Sequence, residues 1–185
     1  MRLFVALWTP SEILETLPLS LLQEHLTRQG VRFTRPEKIH LTLRYLGNVL
    51  EDQVEPLTAS LAEALAGISE VELTASGLGA FPNIDRPKVV WAGVHGDLTA
   101  LHQRVIEATD DVAEQPADAW EPHLTLARVS PPSQKVGRAL EPLVRQTAGE
   151  LFGSWIAREV LLVQTQADGS YHIMAEFPLV PSTTP

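Results

Sequence analysis

No cysteine occurs among the 185 residues. That excludes disulfides, thiolate metal sites and cysteine nucleophiles, and it suits a reducing compartment, so a cytoplasmic location is the expectation. Long hydrophobic runs are missing too. The opening Met1–Trp8 is apolar, but Thr9-Pro10-Ser11-Glu12 ends it too early for a signal peptide or a membrane span. It reads as a first β-strand, and no membrane association is expected. Positive charge is scarce: 14 Lys and Arg stand against 23 Asp and Glu, a formal net charge of −9. A protein that tracks long nucleic acid carries a basic face, so gripping a long duplex is disfavoured. No low-complexity segment and no Pro/Gly/Ser-rich linker divides the chain. The hydrophobic fraction of 44% is that of an ordinary globular protein with one full core.

The few cations are unevenly spread. Arg28, Arg32, Arg35, Lys38 and Arg44 fall within seventeen positions that hold only one carboxylate, Glu37. Such a run is usually a solvated face; here it leads into the motif described next, where a positive patch would attract phosphate.

His-Leu-Thr-Leu occurs twice, at His40–Leu43 and His123–Leu126, 83 residues apart. Each copy reads as strand, in which side chains alternate faces. His and Thr of each copy then point one way, and the leucines point into a core. Two such strands side by side would aim two imidazoles and two hydroxyls into one cleft. A third His-Leu-Thr, His25–Thr27, is a decoy: it lies in a helical stretch, where positions two apart diverge by ~200°. His95, His102 and His172 read as structural or surface residues. No acidic residue lies within either motif and the spacing is not that of metal ligands, so no metal site is expected.

Around the motifs the chain alternates strands and helices. Thr9, Pro10 and Glu12 predict a helix start, with a kink at Pro18 and an end at Gly30. Strands are predicted at Leu3–Trp8, Ile39–Leu46, Val71–Ala75, Lys88–Val94, Pro122–Val129, Trp155–Gln164 and Tyr171–Leu179. The last two form a hairpin about Asp168-Gly169. In the final strand Tyr171, Ile173, Ala175 and Phe177 share a face by simple alternation. Helices are predicted from Val54 to Gly67, after Asp97, and from Ser133 to about Ala148, the last weakened by Gly137 and Pro142. Each half of the chain thus holds one motif strand among helices. The expectation is an α+β fold of two similar lobes: one bilobal domain over residues 1–180 with a polar tail, 181–185.

The stretches Ile39–Gly47 and Pro122–Arg128 resemble the paired signatures of the 2H phosphoesterases, in particular their RNA 2′,3′-cyclic phosphodiesterase branch, also called the 2′-5′ RNA ligase family. Arg2–Ala6, Phe81-Pro82 and the closing run with Gly169, Tyr171 and Phe177–Leu179 are similar as well. Phe33 stands near where relatives often carry Trp. The resemblance implies a bilobal fold with a pseudo-twofold axis, antiparallel-rich sheets, outer helices and a central cleft. It also implies hydrolysis of 2′,3′-cyclic phosphate RNA ends or cyclic nucleotides to a 2′-phosphate, reversible 2′-5′ joining of RNA ends in some members, no cofactor and no obligate protein partner. A module that binds a nucleotide or RNA end without turnover is the alternative.

Opening a cyclic phosphodiester needs a proton taken from water and one given to the departing ribose oxygen. Two imidazoles serve because their ordinary pKa lies near neutrality. His40 is expected to donate and His123 to accept. Thr42 and Thr125 would hold the non-bridging oxygens. Arg44 continues the alternation His40, Thr42, Arg44 and should face the cleft. Arg128 is turned away by alternation, and only the resemblance brings it to the phosphate. Tyr171 is a candidate to stack on a base.

Overall fold

The computed structural model describes residues 1–27, 30–116 and 119–182; Arg28 of the basic run and the end of the predicted tail lie outside them. The elements are β1 (Arg2–Trp8), α1 (Ser11–Leu14), α2 (Leu19–Leu26), β2 (Val31–Phe33), a 3₁₀ turn (Pro36–Lys38), β3 (His40–Asn48), α3 (Glu51–Leu65), β4 (Val71–Phe81), β5 (Val89–His95), α4 (Thr99–Thr109), β6 (His123–Val129), α5 (Gln134–Gln146), β7 (Leu151–Ala157), β8 (Glu159–Thr165) and β9 (Tyr171–Pro178). Pro18 splits the first predicted helix into α1 and α2, because proline cannot donate to the helical ladder. Pro10, not Thr9, occupies the N-cap of α1.

The fold is α+β, as expected. All nine strands join one antiparallel sheet in the order β7-β4-β5-β6-β3-β1-β8-β9, with β2 added to β6. The two motif strands are neighbours at its centre, and they meet at a single pair, Leu41 with Leu124. The segment expected to be one strand from Trp155 is two, broken at Arg158. Its first part pairs with β4 at one end of the sheet, and its second pairs with β1 near the other. One residue cannot span a flat sheet of this width, so the sheet must curl until its ends approach.

The halves are interleaved. Helix α4, from the second half, packs on α3 and β3, while α1 and α2, from the first, pack on β7 and α5. Beneath the sheet runs one continuous core that includes Leu41, Leu43, Leu124 and Leu126, each 1% exposed or less. Strand β1 is buried on both faces. Leu3, Val5 and Leu7 enter that core, whereas Phe4 and Ala6 join Leu161 and Val163 in a smaller cluster on the opposite face, with Trp8 and Tyr171 against it. Among the described residues no helix is long and apolar enough to cross a membrane.

Gly137, which weakens α5 by propensity, is there for space. A Cβ on it would stand 2.3 Å from the Ile84 carbonyl oxygen and 2.6 Å from that of Asp85. Helix and loop backbones touch, and neither can move cheaply. Gly137→Ala is expected to destabilise by about 1–3 kcal/mol despite alanine's better helix propensity, read as a fall in Tm. An unchanged or higher Tm would mean that the 84–85 loop yields freely.

Candidate active site

Three β-bulges determine which side chains reach the cleft. In β3, Thr42 pairs with Ala6 and Arg44 with Val5, so Leu43 is an extra residue. In β6, Thr125 pairs with Trp91 and Ala127 with Val90, so Leu126 is extra. The two bulges are equivalent positions in the two motifs. Each inserts one residue and flips the side chains that follow to the other face, in β3 as far as a second insertion at Leu46. In β9, Met174 is a third such insertion.

The consequences correct the alternation argument. Arg44 does not face the cleft. It is 6% exposed, its Nη2 donates to Asp110 Oδ1 and the Gln115 carbonyl, both at 3.1 Å, and it pins the segment after α4 against β3. Tyr45, the residue after it, lines the cleft instead. Arg128, the counterpart of Tyr45 in the second motif, lines the cleft by the same geometry. In β9 the bulge puts Tyr171 on the cleft face with the small cluster, while Phe177 enters the main core.

The cleft measures about 680 Å³ and includes His40, Thr42, Thr125, Arg128 and Tyr171 on its walls. Extending the Leu41–Leu124 register by one residue each way sets His40 opposite Thr125 and Thr42 opposite His123. Each imidazole therefore neighbours the threonine of the other motif. His123 lies on the wall of a smaller adjoining pocket of about 280 Å³, which shares Thr42 and Tyr45 with the cleft.

The two imidazoles are held alike. His40 Nδ1 lies 2.7 Å from the Lys38 carbonyl, and His123 Nδ1 lies 2.7 Å from the Glu121 carbonyl. A carbonyl only accepts, so each ring is tethered as the Nδ1–H tautomer, which leaves Nε2 free for chemistry. His40 stacks between Phe4 (4.8 Å between centroids) and Trp8 (5.1 Å), with Tyr171 edge-on at 5.6 Å. Phe81 meets His123 edge-on at 4.9 Å. Burial among these rings pushes the His40 pKa down to about 4; His123 and Arg128 add to the effect, and the Lys38 carbonyl opposes it. Burial also lowers His123, where the Glu121 carbonyl and carboxylate work the other way.

Among the described residues four cations, Arg2, Arg32, Lys38 and Arg128, line the cleft, and no carboxylate does. Arg32 and Arg128 sit directly opposite each other on β2 and β6. Like charges so placed repel, and among the described residues neither has a carboxylate within salt-bridge distance, so an anion between them would relieve the repulsion. Lys38 donates to the Gly169 carbonyl, lies 5.1 Å from the centre of the Tyr171 ring, and ties the β8–β9 turn to the cleft. Strand β2, which carries Arg32, was too short to be legible as a strand. Among the described residues no group of three or more His, Asp or Glu could hold a metal ion. His25 lies on α2 with its Nδ1 against the Leu21 carbonyl.

Residues 11–91 match the family model described as LigT like Phosphoesterase. A protein of Archaeoglobus fulgidus named RNA 2′,3′-cyclic phosphodiesterase is 33% identical over 167 residues, 89% of this chain and 91% of that one. The chain belongs to this family of 2H phosphoesterases. An Aquifex aeolicus protein of the same name is 27% identical, with coverage of 96% and 97%. Among solved structures, one from Thermus thermophilus matches this phosphoesterase with a TM-score of 0.78 at 24% identity, covering 97% of this chain and 98% of that one. Escherichia coli LigT with 3′-AMP matches with a TM-score of 0.71 at 22% identity, covering 96% and 97%. These two share the fold.

Proposed function

We propose that this phosphoesterase opens the 2′,3′-cyclic phosphate of RNA ends or nucleotides to a 2′-phosphate by paired histidine acid–base catalysis without a metal. The observation that carries the reading is the twin arrangement of imidazoles: both tethered at Nδ1, each beside the other motif's threonine, at a cleft whose walls, among the described residues, hold four cations and no carboxylate. The name shared by the relatives supports the substrate class.

In the proposed step His123 Nε2 takes a proton from water. The water oxygen attacks phosphorus, the bond to the ribose 3′-oxygen breaks, and His40 Nε2–H protonates that oxygen. Glu121 stabilises the positive charge that His123 gains, and burial among aromatic rings makes the His40 imidazolium a strong acid once it is formed. Thr42, Thr125 and Arg128 hold the non-bridging oxygens. A 5′-hydroxyl in place of water would yield a 2′-5′ bond.

Hydrolysis of a 2′,3′-cyclic nucleotide should persist in excess chelator and yield the 2′-phosphate; loss of turnover on chelation sinks the metal-free mechanism. The pH profile gives a sharper test. The reaction needs one neutral and one protonated imidazole. Both free-enzyme values lie below the ordinary ~6.5, so the protonated form is lost as pH rises towards neutrality. The basic limb of kcat/KM should therefore bend below ~6.5. In the complex the bound phosphate stabilises the imidazolium, so the kcat limb should move to higher pH. A kcat/KM limb above ~7 would contradict this.

A further inference from the structure

The two motif histidines share a tether but not a surround. The extra residues of the β1–β3 pairing lie in β3, so β1 alternates without a break, and Phe4, Ala6 and Trp8 share one face. Phe4 and Trp8 stand four residues apart, ~13 Å along the strand. Between them Ala6 contributes only a methyl group. His40 sits directly opposite Trp8, and its ring enters that gap, 4.8 Å from Phe4 at 21° and 5.1 Å from Trp8 at 14°. Strand β5 offers His123 the reverse. Gly93 lies opposite the histidine and Trp91 opposite Thr125, so the bulky residue stands where β1 has Ala6 and no side chain stands where it has Trp8. Phe81 meets the His123 ring edge-on, and Trp91 is 6.3 Å away at 50°. Among the described residues no ring lies parallel to it.

We propose that Trp8 is a positioning residue for the proposed acid: with Phe4 it clamps both faces of the His40 imidazole, so that Nε2 keeps one bearing, while His123 turns about its single tether. The clamp rests on the function proposed above and divides the work between one fixed imidazole and one adjustable one. The last torsion of a histidine side chain is broad, and one hydrogen bond at Nδ1 leaves the ring able to rock. Two flat rings against its faces remove that rocking. A shift of ~1 Å in a reacting group costs about 10²-fold in rate, so the bearing of Nε2 matters to the chemistry.

Trp8 acts from behind. It stands outside the cleft wall and borders a separate pocket of about 500 Å³ with Thr9 and Trp155, so it holds the histidine without touching the substrate. The titratable and charged residues that face His40 are Tyr171 from β9, Lys38 from the 3₁₀ turn, and His123 and Arg128 from β6. Tyr171 meets the ring edge-on and Lys38 meets it through a carbonyl, so neither replaces the Trp8 stack. As part of the aromatic burial of His40, Trp8 also disfavours the imidazolium.

The test reads the histidines directly. Ring-carbon NMR relaxation of the unaltered protein should find the His40 ring as ordered as the backbone around it and the His123 ring looser. In Trp8→Ala the His40 titration midpoint should rise from about 4 towards the ordinary histidine value, while that of His123 hardly moves. Trp8→Phe, which keeps a flat ring, should restore most of the difference. With a 2′,3′-cyclic nucleotide, Trp8→Ala should lower kcat about 10–100-fold and leave KM within about twofold, and Trp8→Phe should recover kcat. Equal order in the two rings, an unmoved His40 midpoint or an unchanged kcat in Trp8→Ala overturns the proposal. Ester hydrolysis with both rings equally loose would refute the clamp and leave the proposed function standing. An ordered His40 whose midpoint responds to Trp8→Ala, in a protein that hydrolyses no cyclic ester, would refute the proposed function and leave the clamp standing.

Discussion

Replacing either motif histidine with alanine should lower kcat for cyclic phosphate opening by about 10²–10⁴, with the fold intact. In the proposed step the two rings act together, one taking a proton while the other gives one. The double variant should therefore be little worse than either single variant, because removing one partner already deprives the other of its role. Circular dichroism and Tm separate this from unfolding. His123→Ala tests the point most cleanly, since His40 is embedded among Phe4, Trp8 and Tyr171 and its loss opens a gap in that cluster. Full activity in either single variant would eliminate the acid–base pair.

Arg128→Met should lower kcat/KM for RNA ends about 10–100-fold, the value of a hydrogen bond to a charged group. It should also flatten the dependence on salt by roughly the 0.7 log unit per phosphate contact expected of a single strand. Its Tm should hardly move, since the side chain is exposed on the cleft wall. Arg44→Met should register in Tm, because it strips Asp110 and the Gln115 carbonyl of their donor. A kcat/KM unchanged in Arg128→Met at low salt would remove this arginine from the proposed mechanism.

These two arginines show what the sequence disclosed and where it fell silent. The repeated His-Leu-Thr-Leu, the strand character of both copies and the burial of their leucines follow from alternation, and alternation holds through Leu43 and Leu126. It fails at the residue after them, Arg44 and Ala127. Nothing in Leu43 or Leu126 marks a bulge; both are β-compatible leucines, and the insertion is visible only against the partner strands β1 and β5. The two errors have one cause: Arg44 expected inside and Tyr45 overlooked, Arg128 turned outward by period. Met174 hides the same device in β9, where alternation wrongly grouped Tyr171 with Phe177. The break at Arg158 was hidden for a different reason. Two strands joined without a turn residue read as one, and only pairing to opposite ends of the sheet separates them. Trp8 carries no motif at all; it meets His40 because β1 and β3 pair in that register.

The single contact pair between β3 and β6 also works as a gauge. Two adjacent strands stand ~4.8 Å apart whatever their side chains, so the span between the two imidazoles proposed as acid and base is inherited from the peptide repeat. Segments on either side can lengthen, shorten or change charge without recalibrating the gap between the two motif imidazoles.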